Sequence, residues 1–237
     1  MKARIVDSSD GVTLVGGGPV GPRMLQLALS RAPFLVAADG GADRALTAGH
    51  MPEAVIGDFD SLSTDARRRI PLSRQHVIGE QETTDFDKAL RSIAAPFVLA
   101  LGFAGARIDH GLAVFNALVR HWDRPCIVLG PKDVVFACPP LTMLRLKVGD
   151  RLSLFPMGQV TGESLGLRWP IQGLSFAPDG MIGTSNVVSE PEVTLRFDGP
   201  GMLAILPRAR LDAVLSGLVP QWRPPRGAGA RPSVREG

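Results

Sequence analysis

One change of period organises this chain of 237 residues. Up to Pro139-Pro140, short apolar runs alternate with stretches whose apolar residues recur three and four apart. Beyond it, apolar and polar residues alternate singly. A period of 3.6 belongs to a helix, and a period of two to a strand with one covered face. The runs at 12–15, 34–38, 54–56, 77–78, 97–101 and 127–129 therefore predict short buried strands. Between them, Val20, Met24, Leu27, Ala28 and Ala32 predict a helix over 20–31, and Gly49 stops another at 42–49. Phe86, Leu90 and Ile93 face inward from a helix over 84–93, and Ile108, Leu112, Phe115, Val119 and Trp122 form one inward stripe of a further helix. Short apolar strands alternating with amphipathic helices call for a mostly parallel sheet with flanking helices, an α/β layer over residues 1–138.

In the second half, Leu144, Leu146 and Val148 alternate with Arg145 and Lys147. Leu152 and Leu154 flank Ser153, and Val193 and Leu195 flank Thr194. This patterning predicts a smaller antiparallel β domain over 139–222. The last fifteen residues, RPPRGAGARPSVREG, carry no period and read as a disordered tail, 223–237.

Composition narrows the function. The formal net charge is +3, and Arg223, Arg226, Arg231 and Arg235 against Glu236 place all of it in the tail. The body is formally neutral, without a basic stripe, and the chain has no Tyr. That argues against a nucleic-acid partner. The N-terminus lacks the apolar core of a signal peptide, and the longest weakly polar run, 93–105, is too short to span a bilayer. Cys126 and Cys138 sit in apolar stretches and make neither a disulfide framework nor a zinc site, so buried free thiols are expected. A cytoplasmic protein with no membrane partner follows.

The chemistry lies in carboxylates at strand ends. Asp39 follows FLVAA, Asp58 and Asp60 follow AVIG, Asp85 and Asp87 open a helix, and Asp109 opens another. In open α/β sheets the ligand site lies beyond the C-terminal ends of the strands. Carboxylates gathered there need a compensating cation, and a hard divalent ion such as Mg²⁺, arriving with substrate phosphates, supplies it. Each acid taken singly has a plainer reading. Thr84 with Asp87 fits a helix cap, Asp109 fits another, and Asp58–Ser61 could be only a turn. Capping does not require several of them at successive strand ends.

Gly16, Gly18 and Gly21 formally satisfy G-x-G-x-x-G after a strand, with Pro19 inside the match. Glycines there let backbone N–H groups approach a phosphate, and no Walker lysine pattern occurs. Arg107 lies just before a helix start in Gly102–His110. It reads equally as a phosphate clamp or as a structural partner of an Asp.

Five segments in order resemble the thiamine pyrophosphokinase family. They are Ala38-Asp39-Gly40-Gly41-Ala42-Asp43; Ile56-Gly57-Asp58-Phe59-Asp60-Ser61-Leu62; Glu82-Thr83-Thr84-Asp85-Phe86-Asp87-Lys88-Ala89-Leu90; Arg107-Ile108-Asp109-His110 with Asn116; and Gly166-Leu167-Arg168-Trp169-Pro170 followed by Gly183-Thr184-Ser185-Asn186. Ala106 departs from the family's usual glycine. The resemblance implies a Rossmann-like nucleotide-binding domain followed by a β-sandwich that binds thiamine. It implies a homodimer with active sites between subunits, and transfer of the pyrophosphoryl group of ATP to the thiamine hydroxyl, releasing AMP. On that basis Asp58, Asp60 and Asp85, with Asp39 next, are expected to hold Mg²⁺. Lys88 and Arg107 would face the phosphates, with Asp109 orienting Arg107 or holding the metal through water. Gly17, Gly18, Asp39, Gly40 and Gly41 would line the ATP site. Thiamine is an aromatic cation, and Trp169, Ser185 and Asn186 offer it a π face and hydrogen bonds. Trp222 reads equally as a second stacking residue or as core, whereas Trp122 continues an apolar stripe and reads as core.

Other functions remain in view. Asp58-Phe59-Asp60-Ser61 after a strand imitates the nucleophile motif of haloacid-dehalogenase-type phosphatases, but two βα units precede it. A pterin-alcohol pyrophosphokinase shares the chemistry, and the Trp169 and Gly183–Asn186 segments favour thiamine. A non-catalytic sensor of thiamine or nucleotide would not need so many clustered carboxylates.

Overall fold

The computed structural model describes residues 4–105 and 107–225. Ala106 and most of the expected tail, 226–237, lie outside the described residues, and 223–225 carry no regular structure. The first half runs β1 (Val6–Asp7), β2 (Val12–Val15), α1 (Pro22–Leu29), β3 (Phe34–Ala38), α2 (Gly41–Thr47), β4 (Ala54–Gly57), α3 (Thr64–Arg69), β5 (Gln75–Val77), α4 (Asp85–Ser92), β6 (Ile93–Ala94), β7 (Val98–Leu101), α5 (Ile108–Arg120), β8 (Cys126–Leu129) and β9 (Asp133–Ala137). The second half runs β10 (Leu141–Arg145), β11 (Arg151–Pro156), β12 (Val160–Leu165), β13 (Ser175–Phe176), β14 (Gly183–Val187), β15 (Glu192–Phe197), β16 (Met202–Pro207) and α6 (Leu211–Leu218).

Strands β8, β7, β2, β3, β4 and β5 lie side by side in that order, all parallel. Every residue of β2, β4, β7 and β8 is buried, as a sheet covered on both faces requires. The sheet then continues. β9 turns back antiparallel to β8, and β16, β11 and β14 follow, so ten strands form one mixed sheet. A separate four-stranded antiparallel sheet has the order β10-β15-β12-β13. In β10 exposed and buried residues alternate, with Thr142 and Leu144 inward.

Two large cores result. Val12, Leu14, Val36 and Ile56 pack with Phe86 and Leu90 of α4 and Ala117 and Leu118 of α5. Leu144, Val193 and Leu195 of the small sheet share a second core with Phe136, Leu152, Leu154 and Met202 of the antiparallel end of the large sheet. Leu211, Val214 and Leu215 of α6 join that core. Cys126 and Cys138 are both buried free thiols. Among the described residues no helix is long and apolar enough to cross a membrane.

Beyond the runs marked in the sequence, β9 is antiparallel within the mostly parallel half, because the turn at Gly130–Asp133 folds it straight back on β8. Three local expectations are corrected. Strand β10 ends at Arg145, and Leu146 to Val148 lie in the turn that Gly149 closes at φ +91. The α6 segment is helical inside a stretch expected to be all β. Its apolar residues repeat at 211, 214 and 215, a helical spacing. Of the stripe along α5, Ile108 and Leu112 are 86% and 57% exposed, whereas Phe115, Val119 and Trp122 pack partly buried beside the buried Val114, Ala117 and Leu118. The first turns of α5 stand beside a cleft rather than over the sheet.

Close approach at one glycine seats α2 against the end of β2. A Cβ at Gly41 would lie 2.0 Å from the carbonyl oxygen of Val15 and 2.6 Å from its carbon. Backbone cannot move aside as a side chain can, so Gly41→Ala is expected to destabilise the fold by about 1–3 kcal/mol. Gly111→Ala, in α5 with open space around it, is expected to stabilise by up to about 1 kcal/mol. Urea denaturation midpoints of the two variants check both signs.

Candidate functional site

The C-terminal ends of β2, β3, β4 and β7 open onto one cleft of about 670 Å³. Gly17 and Gly18 follow β2, Asp39 and Gly40 follow β3, and Asp58 and Asp60 follow β4. The α4 helix brings Asp85 and Lys88 to the same space, and Arg107 and His110 come from the start of α5. Gly41 does not reach it, because its role is the close packing under β2.

The turn after β4 is built to present acids. Phe59 adopts φ +67, in the left-handed region that is costly for a bulky side chain. Its ring is buried with Leu62, Ala66 and Ile70, and the Arg67 guanidinium lies 5.6 Å from its centroid. The ring thus anchors the turn while the flanking Asp58 and Asp60 line the cleft. Asp39 also has positive φ, +43. Carboxylate oxygens of Asp39, Asp58 and Asp60 come within 4.8 Å of one another.

Asp39 is 3% exposed. Its Oδ2 accepts the Ser61 N–H at 3.1 Å, and its Oδ1 is buried without a partner. Burial first, then the neighbouring Asp60 and Asp85 carboxylates, push its pKa up to about 6. Lys88 is equally buried, and its Nζ donates to Asp58 Oδ2 at 2.8 Å and to Asp85 Oδ1 at 3.2 Å. The Lys88 hydrogen bond holds Asp58 below the usual carboxylate range. Burial pushes Asp85 up, against the pull of Lys88. Burial also penalises the Lys88 ammonium, but Asp58 and Asp85 outweigh that and raise its pKa. The ammonium is therefore a brace between two carboxylates rather than an open cation.

Arg107 and Asp109 form a two-pronged pair, Nε to Oδ1 at 3.1 Å and Nη2 to Oδ2 at 2.6 Å, both side chains exposed. Arg107 lines the cleft, and its reading as the structural partner of an Asp holds. The cap reading holds for Thr84, whose Oγ1 accepts the Asp87 N–H at 3.4 Å, but not for Asp109, which lies inside the first turn of a helix that starts after Arg107 without a side-chain cap bond.

Sequence reasoning missed several lining residues. Gln81 Nε2 donates to Asp58 Oδ2 at 3.4 Å. Asp43 accepts the Ser63 hydroxyl and the Ser63 N–H. Arg44 Nε donates to the Gly17 carbonyl at 3.2 Å. Asp43 and Arg44 lie in the first turns of α2, directly after Asp39 and Gly40, and line the same cleft.

A second pocket, of about 330 Å³, opens beside β14 and is lined by Trp169, Phe176, Ile182, Gly183, Ser185 and Asn186 among others. Trp169 is 55% exposed, with the Arg168 guanidinium 5.7 Å from its ring centroid. Asn186 is committed to the Trp169 backbone: Oδ1 accepts its N–H at 3.2 Å, and Nδ2 donates to its carbonyl at 2.6 Å. Ser185 takes φ +63, and its N–H donates to Ser153 Oγ at 3.0 Å. Trp222 is not at this pocket; it is buried in the core with α6. Trp122 packs against the other core, as its stripe predicts.

Comparison with known proteins bears on both pockets. Residues 25–129 match the family model "Thiamin pyrophosphokinase, catalytic domain", and residues 142–201 match "Thiamin pyrophosphokinase, vitamin B1 binding domain". "Thiamine pyrophosphokinase 1" of Oryza sativa subsp. japonica is 26% identical over 211 residues, covering 75% of this chain and 80% of the relative. "Thiamin pyrophosphokinase 1" of Caenorhabditis elegans is 26% identical over 189 residues, covering 70% and 76%. In fold, the chain is similar to the thiamin pyrophosphokinase from Candida albicans, with TM-score 0.71, 15% identity, and 85% and 92% of the two chains covered. It is also similar to the one from Geobacillus thermodenitrificans, with TM-score 0.67, 22% identity, and 83% and 96% covered. With the two models matched in order over most of its length, the chain belongs to the thiamine pyrophosphokinase family.

Proposed function

We propose that this chain transfers the pyrophosphoryl group of ATP to the hydroxyl of thiamine, giving thiamine diphosphate and AMP, with Mg²⁺ in the acidic cleft. The observation that carries this reading is the buried, unpartnered Asp39 Oδ1 facing Asp58 and Asp60 in a cleft large enough for a nucleotide. A buried oxygen without a donor, close to two further carboxylates, suits a hard cation. Asp39, Asp58 and Asp60 would hold it, with Asp85 beside them. Bound there, Mg²⁺ would neutralise and orient polyphosphate oxygens, the main requirement of phosphoryl-type transfer. Lys88 fixes the directions of Asp58 and Asp85, so the acids need not reorganise when substrate arrives. Asp109 holds the Arg107 fork at the rim. At the other pocket Trp169 offers a π face to the thiamine cation, and Asn186 fixes the backbone of Trp169.

The parallel half then serves as a Rossmann-like nucleotide layer. The small sheet, packed on the antiparallel end of the large one, serves as the thiamine-binding β-sandwich, in a cytoplasmic enzyme. Sheet order also supports a homodimer. β14, at the second pocket, and β3, which ends at Asp39, are seven strand spacings apart in one sheet. At about 4.8 Å each this is roughly 34 Å, too far for one thiamine to bridge within a chain. Two copies can place the Trp169 pocket of one against the acidic cleft of the other. The exposed Ile108 and Leu112 beside the cleft offer apolar surface for that contact.

Incubation with Mg-ATP and thiamine is expected to yield AMP and thiamine diphosphate. Asp58→Asn and Trp169→Ala should each remove nearly all of this activity. Mixed in equal amounts after subunit exchange, the two variants should recover about a quarter of the wild-type rate, because half the dimers regain one intact site. No recovery from stable mixed dimers would place both groups in one subunit's site.

The raised pKa of Asp39 gives a check that does not use turnover. The folded chain holds the Asp39 proton more tightly than the unfolded one, whose value is 3.8. This group's contribution therefore favours folding most below that value, declines up to about pH 6 and stays unfavourable above it. Asp39→Asn should stabilise the metal-free protein by about 1–3 kcal/mol at pH 7.5, and by much less at pH 4. It should also abolish the stabilisation that added Mg²⁺ gives the wild type. Urea unfolding at both pH values, with and without Mg²⁺, reads each effect.

A further inference from the structure

A polyphosphate needs cations, and the two that the sequence marks are already engaged. The Lys88 ammonium is buried between Asp58 and Asp85, and the Arg107 fork faces Asp109. Arg44 differs from both. It is an exposed residue on α2, its Nε donates to the Gly17 carbonyl at 3.2 Å, and it has no carboxylate partner among the described residues. The adjacent Asp43 is turned to the hydroxyl and N–H of Ser63 and does not compete for it. A guanidinium has five N–H donors in a planar fork, so most of those on Arg44 stay open.

Its location gives those donors a direction. Arg44 lines the same cleft as the acids, on the wall formed by Gly17, Gly18 and Gly40. Gly17 and Gly40 stand close together, since a Cβ on Gly17 would lie 3.9 Å from the Gly40 carbonyl carbon. Gly40 directly follows Asp39. The wall that holds Arg44 is therefore continuous with the acid cluster and carries little side-chain bulk. Five carboxylates line the cleft, Asp39, Asp43, Asp58, Asp60 and Asp85, against three cations. A polyanion drawn to a metal ion among those acids still meets negative charge around it, and the cation with open donors is the one on the glycine wall.

We propose that Arg44 is a polyphosphate-binding residue, contacting phosphate oxygens of the nucleotide from the glycine wall. The proposal rests on the pyrophosphokinase reading and adds to it a residue and the part of the substrate that residue recognises.

The test is calorimetric titration of full-length protein with Mg-ATP, beside KM values for both substrates. Arg44→Ala should weaken Mg-ATP binding about 10- to 100-fold, the usual loss for a charge-assisted contact. Arg44→Lys should recover part of it, while KM for thiamine stays unchanged. Arg68→Ala removes one positive charge from α3, where Arg68 is 75% exposed and outside the cleft, and should leave Mg-ATP affinity unchanged. An Arg44→Ala protein that binds Mg-ATP like wild type overturns the proposal, as does an equal loss in Arg68→Ala, which would reflect net charge alone. If the wild type binds Mg-ATP but forms no AMP, the reaction assignment fails while the Arg44 contact is still decided by the titration.

Discussion

The cleft depends on one buried ammonium. Lys88, on α4, reaches across to Asp58 at the end of β4 and also holds Asp85 one turn back on its own helix. Removing one partner of such a buried pair costs about 3–5 kcal/mol, because a charge is left without compensation. The brace therefore fixes helix to strand, and with them the position of every acid that follows β4. It also sets the division of labour. Asp58 is held ionised by Lys88, whereas Asp39, with no cation beside it, is pushed toward neutrality by burial. One cluster thus contains a carboxylate held charged and one pushed toward neutrality.

The ten-stranded sheet adds a second constraint. It carries the acidic cleft near one end and the Trp169 pocket at the other, and a hydrogen-bonded sheet does not fold back on itself to bring them together. The distance is a consequence of β9. By turning back antiparallel on β8, it lets β16, β11 and β14 extend the sheet away from the parallel strands. A chain that stopped its first sheet at β8 would leave the second half free to dock elsewhere. This one fixes the two pockets apart.

Much of this was legible in the sequence, and the reasons differ by level. Parallel strands and their helices showed because buried runs such as VLAL and CIVL have no other economical home. The carboxylates showed because they sit at the ends of those runs. What did not show was pairing across long separations. Nothing local in DVVFA says that its partner is a strand some seventy residues later. Side-chain commitments were hidden for the same reason. Lys88 reads as an open cation until Asp58 is brought 2.8 Å away, and nothing local in the sequence shows that Asn186 bonds the Trp169 backbone. The Ile108–Leu112 stripe was misplaced because periodicity reports a helix's apolar side but not what that side meets.

Backbone strain follows the same map. Among the described residues, three non-glycines have positive φ: Asp39, Phe59 and Ser185. Each such conformation costs on the order of 1–3 kcal/mol and persists only where its surroundings impose it. All three lie at the two pockets or in the turn that feeds one of them, and none lies in the core of either sheet. Phe59 shows why glycine would not serve. Glycine would relax the backbone but remove the ring that Leu62, Ala66 and Ile70 enclose, and with it the anchor that keeps Asp58 and Asp60 turned out of the core. At Asp39 the strained turn lets Oδ2 take the Ser61 N–H while Oδ1 stays unpaired. A fold selected for stability alone would have satisfied that oxygen or replaced the residue. Instead it stays buried and unpartnered, on a strained backbone, beside the Asp58 and Asp60 carboxylates.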